Sequence, residues 1–464
     1  MKMKKNIIIT ACLCCYCLFS PHFLKAQNQL QIFKNQVEQA INNSKAIQNA
    51  TLENKKVQAD NQEVKGKLLP HISMNAMYGY LNTSLNVDLP TTTLPITGIN
   101  LFEGSNTLKL SSQLFATGAT VSQVIFSGLQ ISNGQKALNE KYKAQELMTQ
   151  ATYDPLAQEI IHSFDQLMLL DDVEVLINDS EKRLNKEHLK VIRAIENGLA
   201  IPYDRDKIKL AMLELDSKRA ELQSNRDLLY FKLQELTGIT IQELKNVKYD
   251  LSEILIDSDA TEMNRKELEA LEASSNAYKY VLKKEKGARL PMVFGFGNVS
   301  YANAFNTHMT VKDLPLMGDL KFKANHIQFA PTYAIGVGVK WNIFDGNARK
   351  SAIEKAQIDI QINENKIQDT KEKLALLQRK TESDYKLAIK KLSVNKQQVA
   401  IAKNNLHLAS RQFEEGLLDV TERLEAENEF YKQSLNYYNQ ILNQRLATTE
   451  LLKSNGNLYQ TIIR

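Results

Sequence analysis

The chain has 464 residues, 24% of them charged, and a formal net charge of +5 at pH 7. Residues 1–26 have the features of an export signal: a lysine-rich start, an apolar stretch over 6–19 and Ala26 at the predicted cleavage point. Without them four lysines are lost and the net charge falls to +1, so nothing favours a nucleic-acid partner. No later segment approaches the roughly 20 apolar residues of a membrane helix. Any contact with a membrane is therefore expected to involve strands.

The cysteines define the expected redox chemistry. All four lie inside the predicted signal, at Cys12, Cys14, Cys15 and Cys17. The exported protein is therefore expected to have neither disulfides nor thiol chemistry. Lipidation of Cys12 would leave an apolar region of about six residues, which is shorter than export signals usually have. The favoured prediction is an unlipidated chain that starts at Gln27.

Alternation of apolar and polar residues predicts the first pair of strands, at about 71–82 and 114–127. The first strand follows Leu69-Pro70, and its apolar face has the composition of strands that face lipid. The polar stretch between the strands, 84–112, contains two prolines and is predicted as a long surface loop.

Helical periodicity follows the second strand. A long helix over 129–195, with a kink expected at Pro155, ends at a tip over 196–204, and a second helix runs back from it. The returning helix has an apolar residue at every seventh position: Ile208, Leu215, Leu222, Leu229 and Leu236. This spacing is typical of coiled coils, so the two helices are predicted to form an antiparallel hairpin.

The second half of the chain repeats this order of elements. Strands are predicted at about 292–302 and 330–344, with a polar loop between them, and a second helical hairpin has its tip at 414–422. Corresponding landmarks keep constant separations: Leu290-Pro291 follows Leu69-Pro70 by 221 residues, and Gly346, Gly416 and Gly456 follow Gly128, Gly198 and Gly238 by 218. The chain is therefore predicted to be an internal duplication, with repeats at 27–262 and 263–464.

Four strands per chain cannot close a barrel around an open lumen. In lipid, each unpaired backbone group costs several kcal/mol, so strand edges cannot stay open. The barrel is therefore expected to be shared between chains, and three chains would supply twelve strands. The long helices would continue the same wall as a tube below the membrane.

This organisation resembles the TolC-like outer membrane efflux protein family over the whole mature chain. The resemblance rests on a duplicated set in its order: Leu69-Pro70 and Leu290-Pro291 before strands, Phe126-x-Gly128 and Phe344-Asp345-Gly346 at strand-to-helix junctions, and Gly198-Leu199 and Gly416-Leu417 at the tips. It implies a mixed α and β membrane protein. In this homotrimer each chain adds four strands to a twelve-stranded outer-membrane β-barrel, and long antiparallel coiled-coil helices form a periplasmic α-barrel.

The resemblance also implies a function without a cofactor. Such proteins are exit ducts of tripartite efflux pumps or type I secretion systems in Gram-negative cells. They passively conduct substrates from an inner-membrane RND or ABC transporter and a periplasmic adaptor to the outside, and nothing in the sequence chooses between the two pump types. The adaptor is expected to dock at the tips, on Gly198, Leu199, Gly416 and Leu417. An alternative of another class is a periplasmic coiled-coil scaffold or adaptor without a pore.

Motifs for catalysis or metal binding are not found in the sequence. Gly295-x-Gly297 and Gly336-x-Gly338 lie inside predicted strands, without the third glycine and the following helix of a phosphate-binding loop. Small residues in a crowded barrel wall explain them better. The seven histidines include no pair at ligand spacing, and the chain is therefore predicted not to be an enzyme.

Two acidic residues and one aromatic residue are the candidate pore and membrane residues. Glu422 and Glu425 lie one turn apart after the second tip, and the resemblance implies that three copies line a cation-sensitive periplasmic entrance. An exposed helix start, stabilised by the helix dipole, is the other explanation. Trp341 is the only tryptophan and lies near the end of its strand, where it would join an aromatic belt beside outer-membrane lipid or simply pack in the barrel wall.

Overall fold

The computed structural model describes residues 29–256, 263–314 and 318–464, so the predicted export signal and its cysteines lie outside the described residues. None of the helices in these ranges is long and apolar enough to span a membrane. The helices are α1 (Lys34–Asn43), α2 (Lys45–Gly66), α3 (Gln130–Ala151), α4 (Tyr153–Glu196), α5 (Pro202–Thr237), α6 (Ile241–Leu244), α7 (Lys266–Gly287), α8 (Ala348–Glu414), α9 (Val420–Ser454) and α10 (Leu458–Ile463). The strands are β1 (His71–Thr93), β2 (Asn100–Phe126), β3 (Met292–Leu314) and β4 (Gly318–Lys340).

The chain forms two compact units, and each combines parts of both predicted repeats. The helical unit contains the described parts of Met1–Asn54, Lys143–Glu272 and Asn365–Arg464. The sheet unit contains Lys55–Tyr142 and Ala273–Glu364. The predicted division near residue 262 therefore concerns the duplicated sequence and does not separate the compact units.

The sheet unit contains one antiparallel sheet with the strand order β1-β2-β3-β4. Its first two strands are longer than predicted, because β1 continues to Thr93 and β2 begins at Asn100. The prediction of a long loop over 84–112 is therefore wrong. Leu85, Val87 and Leu89 alternate with polar residues as in a strand, but the two prolines favoured a loop. Pro90 is tolerated because the pairing of β1 with β2 is irregular between Leu89 and Thr92.

The second hairpin of the sheet differs from the prediction in the same way. β3 continues to Leu314 instead of ending near 302, and β4 begins at Gly318 instead of near 330. β4 ends at Lys340, four residues before the predicted end at 344. Trp341 therefore follows the strand rather than lying in it.

One face of the sheet is apolar and exposed. Alternate side chains of β4, namely Tyr333, Ile335, Val337 and Val339, are 66–88% exposed. β1 contributes Ile72, Met74, Tyr78 and Tyr80 to the same face, because Ile72 pairs with Val121, Val121 with Gly297 and Gly297 with Ile335. An apolar residue at every second position, with all of these residues on the outward face of the sheet, is typical of strands that face lipid.

Two glycines of β4 provide room for aromatic rings on the opposite face. Gly336 pairs with Phe296 and Gly338 with Phe294. A Cβ atom added at Gly338 would lie 2.5 Å from Cζ of Phe294, and one at Gly336 would lie 2.9 Å from Cζ of Phe296. Since both distances are shorter than van der Waals contact, the rings occupy the space that side chains would need. These glycines are a packing feature of the sheet, as the sequence predicts.

In the helical unit, the seven-residue spacing marks the buried side of α5. Ile208, Leu215 and Leu222 are buried and share one core cluster with residues of α4 and α9. The irregularity predicted at Pro155 is a break between α3 and α4 at Thr152. The proline lies in the first turn of α4, where its missing N–H needs no helical partner.

A buried ion pair joins α4 to α9. The side chains of Asp165 and Arg445 are 2% and 1% exposed, and Oδ1 of the aspartate lies 2.7 Å from Nη2 of the arginine. The Tyr249 hydroxyl donates to the same oxygen at 2.5 Å, and Arg445 Nη1 donates to the Ser252 carbonyl at 2.9 Å. Burial and the Asp165 charge raise the pKa of Tyr249, so its hydroxyl stays protonated and remains a donor.

Removal of one charge from this pair should destabilise the protein strongly. Asp165→Asn leaves Arg445 buried without a counter-ion, and we expect the free energy of unfolding to fall by about 3–5 kcal/mol. Chemical denaturation of the purified protein in detergent measures this loss. The matched control is Glu181→Gln, which breaks the half-exposed pair with Arg219 and should cost about 0–1 kcal/mol. An equal loss in both variants would contradict the assignment.

Candidate functional site

The two helical tips have the same backbone geometry. Gly198 and Gly416 both have a φ of +72°, a left-handed conformation that glycine adopts without strain. At each tip the following leucine, Leu199 or Leu417, donates its backbone N–H to the carbonyl five residues earlier, at 2.8 Å. This pattern ends a helix before a left-handed residue, and it explains how both hairpins reverse without a longer loop.

Large apolar side chains project from both tips. Leu199 is 82% exposed and Leu417 is 76% exposed. A cavity between the two tips is lined by Val191, Phe413 and Val420, among others. The tip residues that the sequence predicts as a docking surface thus lie on neighbouring parts of the helical unit, with apolar surface between them.

Glu422 and Glu425 both lie exposed in the first turns of α9. The Glu422 carboxylate accepts the backbone N–H of Asp419 at 3.3 Å, and Asp419 Oδ1 accepts the N–H of Glu422 at 2.8 Å. This reciprocal pair is a capping box, and the Glu422 N–H holds the pKa of Asp419 below its usual range. Glu422 therefore stabilises the helix start, whereas no hydrogen bond of Glu425 fixes its carboxylate among the contacts described.

The first tip differs from the second in charge. Asp204 and Lys207 occupy the positions that correspond to Glu422 and Glu425, 218 residues earlier in the chain. Asp204 also caps its helix, since its Oδ2 accepts the N–H of Ile201 at 3.3 Å. Lys207 Nζ donates to the Thr421 hydroxyl at 2.6 Å and so connects the two hairpins. The pair of neighbouring carboxylates is a property of the second tip.

A buried carboxylate with two arginines lies beyond the tip. Glu427 is 3% exposed, and Arg183 of α4 donates three hydrogen bonds to its oxygens at 2.7–3.1 Å. Arg423, also buried, donates to the same group at 3.1 Å. The sequence alone does not indicate this cluster. The four-residue spacing of Arg423 and Glu427 is a helix-pair signal, but nothing local indicates that Arg183 joins them.

Trp341 lies just after β4 in the sheet unit and is 58% exposed. Its indole Nε1 donates to the backbone carbonyl of Arg289 at 3.1 Å. Ile343 and Phe344 follow it and are even more exposed. A ring whose N–H has a partner and whose apolar face is exposed suits a membrane interface. Placement in an aromatic belt and packing in a barrel wall both stay predictions.

The helical unit contains a titratable group that the sequence did not point to. Asp154, near the start of α4, accepts the backbone N–H of Tyr459 at 2.8 Å. Burial raises the pKa of this carboxyl to about 6, although the Tyr459 N–H and the Arg265 charge oppose the shift. The carboxyl anchors α10, and it lies beside the cavity lined by Tyr153, Arg265 and Lys453.

Metal ligands are not clustered in the described parts of the chain. Within residues 29–256, 263–314 and 318–464, no group of three or more histidine, cysteine, aspartate or glutamate side chains is arranged to hold a metal ion.

Comparisons with known proteins agree with this architecture. Residues 258–457 match the family model described as outer membrane efflux protein, and a search of curated protein sequences finds no match. Solved structures share the fold at low sequence identity. The outer-membrane channel OprN is 15% identical with a TM-score of 0.69, and the alignment covers 95% of this chain and 92% of that chain.

Two further structures agree equally well. The outer membrane protein VceC of Vibrio cholerae is 14% identical with a TM-score of 0.67, over 93% of this chain and 96% of that chain. The open state of the MtrE outer membrane channel of Neisseria gonorrhoeae is 14% identical with a TM-score of 0.67, over 93% and 90%. At such identities the likeness extends to the fold alone.

Proposed function

We propose that this chain, a member of the outer membrane efflux protein family, is the exit duct of a tripartite efflux pump or a type I secretion system. Three copies form a homotrimer whose twelve strands close a β-barrel in the outer membrane and whose helices form a periplasmic α-barrel. Substrates pass through it passively from an inner-membrane RND or ABC transporter and a periplasmic adaptor to the outside. The fold shared with the channels OprN, VceC and MtrE supports this proposal.

The exposed apolar face of the sheet is the observation that carries the proposal. In water, each large apolar side chain left exposed, such as Tyr333 or Ile335, forgoes about 1.5–3 kcal/mol of burial free energy. β1 and β4 are outer strands of the described sheet, and open strand edges are not tolerated in lipid. A barrel made by several chains meets both requirements, because it closes the edges and turns the apolar face towards lipid.

A periplasmic coiled-coil scaffold without a pore is the second candidate. The helical unit favours it equally well, since Ile208, Leu215 and Leu222 would form the same buried seam in either protein. The scaffold leaves the apolar face of the sheet in water, however, and gives no reason for its regular alternation. The two proteins differ in whether the sheet enters a membrane.

Insertion and conductance distinguish the duct from the scaffold. We expect the purified protein to require detergent, to migrate as a trimer that heating dissociates, and to give unit conductance steps in planar bilayers. Val337→Lys puts a charge on the apolar face at a cost of about 2–4 kcal/mol near the bilayer centre and should reduce insertion. Asn75→Lys, on the other face, is the matched control. A water-soluble monomer without conductance would refute the duct and favour the scaffold.

Adaptor docking at the tips is the second part of the proposal. Leu199 and Leu417 are so exposed that replacing them should hardly change stability. The double variant Leu199→Ser with Leu417→Ser should therefore keep its bilayer conductance but lose co-purification with the adaptor and lose export in cells. Leu210→Ser, at a residue of α5 that is 60% exposed, is the control for a general loss of apolar surface. Normal export by the double variant would argue against docking at the tips.

The acidic entrance is the third part of the proposal. In the trimer, three copies of Glu422 and Glu425 form two neighbouring rings of carboxylates, which attract cations because like charges are confined in a narrow mouth. Exposure of both side chains supports this arrangement. The capping role of Glu422 is compatible with it, since one carboxylate can accept an N–H and still carry its charge.

Cation block tests the acidic entrance. A multivalent cation added on the periplasmic side should lower single-channel conductance, and Glu422→Gln with Glu425→Gln should relieve the block and weaken cation selectivity. The double variant should fold, because glutamine also completes a capping box at this position. Asp204→Asn, the corresponding change at the first tip, should keep the block. If the double variant is blocked as strongly as the wild type, these glutamates do not line the constriction.

A further inference from the structure

The segment 252–256 of the helical unit runs over the helices without being part of a helix or a strand. Its side chains alternate, because Ile254 and Ile256 are buried in a core cluster whereas Glu253 and Leu255 are exposed. Side chains that alternate between two faces are a property of an extended backbone. The segment therefore has two lateral edges, as a β-strand has.

A glutamine of α9 occupies one of these edges in the way that a neighbouring strand would. Gln444 Oε1 accepts the backbone N–H of Ile254 at 3.0 Å, and Gln444 Nε2 donates to the carbonyl of the same residue at 2.7 Å. A side-chain amide offers the same donor and acceptor as a peptide group. The fully buried Gln444 thus makes the two bonds that a paired residue makes in an antiparallel ladder.

A tyrosine of α8 has the same role two residues later. The Tyr385 hydroxyl accepts the backbone N–H of Ile256 at 2.8 Å and donates to the carbonyl of that residue at 3.1 Å. Arg445 fixes the start of the segment, since its Nη1 donates to the Ser252 carbonyl at 2.9 Å. The polar backbone groups of Ile254 and Ile256 are therefore all bound by buried side chains on one side of the segment.

The other edge of the segment is open. In an extended backbone, successive residues direct their N–H and C=O groups to opposite sides, so those of Glu253 and Leu255 point away from Gln444 and Tyr385. Among the residues that the structure describes, these four groups have no hydrogen-bond partner. Unpaired N–H and C=O groups along the edge of an extended segment are a template for a further strand.

The surface beside the open edge is acidic. Asp250 and Glu253 are exposed on the segment itself, and Asp172 of α4 lies near them. Burial and the charges of Asp171 and Asp250 raise the pKa of Asp172. Asp171 is paired with Lys248, whereas no ion pair within the described ranges involves the other three carboxylates. A segment with basic side chains would supply the missing positive charge.

Two tyrosine rings of α9 border the same surface. Burial and the charge of Glu253 raise the pKa of Tyr437, because this carboxylate lies close to the ring. Tyr437 and Tyr438 contact each other, with ring centroids 5.9 Å apart, and both are half-buried. Their exposed ring surface suits aliphatic side chains as well as the ammonium groups of lysines.

We propose that the open edge at Glu253 and Leu255 binds an extended segment of a periplasmic partner protein in which basic side chains alternate with apolar ones. The partner adds a strand to the edge through its backbone, while its basic side chains face the carboxylates of Asp172, Asp250 and Glu253. A second copy of this chain fits less well, because two such edges would bring acidic residues together. The surface shares no residue with the tips and goes beyond the proposed duct.

Peptide binding tests strand addition at this edge. A fluorescein-labelled peptide in which lysine alternates with valine is titrated with the purified full chain in an uncharged detergent, and fluorescence anisotropy measures the Kd. The same peptide with every backbone amide N-methylated keeps its charges and side chains but has no ladder donor. We expect it to bind about tenfold more weakly. A peptide in which glutamate alternates with valine should not bind.

Variants of the protein locate the binding surface. Leu255→Pro removes the unpaired N–H from the edge but breaks no hydrogen bond of the chain, and it should weaken binding about tenfold. Leu255→Ala is the matched control, because it shortens the same side chain and keeps the N–H, so its binding should stay close to that of the wild type. Asp250→Asn with Glu253→Gln should weaken binding and reduce its dependence on salt concentration.

The possible results divide clearly. Equal binding of the lysine-valine peptide and its N-methylated form would overturn strand addition, and this comparison uses the wild-type protein, so it holds even if Leu255→Pro does not fold. Equal binding by Leu255→Pro and Leu255→Ala would overturn the location. If, without peptide, the wild type forms larger assemblies than Leu255→Pro, the occupant is a second copy and the partner proposal is wrong. None of these measurements depends on conductance, so their failure leaves the duct untouched.

Discussion

A strand that lies in lipid must give each backbone N–H and C=O a partner in another strand, because no water is present to replace it. The assembly proposed for this chain follows from that requirement. Four strands leave two edges, β1 and β4, and a sheet of four strands is too narrow to close on itself around a lumen. In the proposed trimer, the apolar face of the sheet gains a favourable environment at the same time as the strand edges gain their partners.

The sequence predicts best those elements whose pattern reflects one buried or lipid-facing side. Alternation at Ile72 to Tyr80 and at Tyr333 to Val339 revealed the strands, and the seven-residue spacing from Ile208 revealed a helix face that is buried. The prediction failed for 84–112 and for the outer halves of β3 and β4. Leu85, Val87 and Leu89 alternate with polar residues there, as do Leu320 and Phe322, but the prolines of 84–112 and the high polar content favoured loops. The strands continue because each has a ladder to a neighbour, which no single segment of sequence reveals.

The candidate sites divide in a similar way. The tips were predictable because Gly198 and Gly416 are required locally by a left-handed turn. The cluster of Arg183, Arg423 and Glu427 was not predictable. Arg183 and Glu427 are separated by 244 residues, and only the packing of two hairpins brings them together. The same applies to Asp165 and Arg445. Polar groups buried between distant segments depend on tertiary structure, whereas turns and caps such as Asp419 with Glu422 depend on a few neighbouring residues.

The two repeats have the same chain length along their helices but not in the segment that contains the β-hairpin. From Gly128 to Gly198 and from Gly346 to Gly416 the interval is 70 residues, and from each tip to Gly238 or Gly456 it is 40. The interval that contains the β-hairpin is 59 residues from Leu69 to Gly128 but 56 from Leu290 to Gly346. The two repeats therefore differ in length within the segment that contains the β-hairpin and agree in length along the helices. Helix length matters because a single added residue would rotate every following side chain about the helix axis by about 100°. It would also move one tip away from the level of the other.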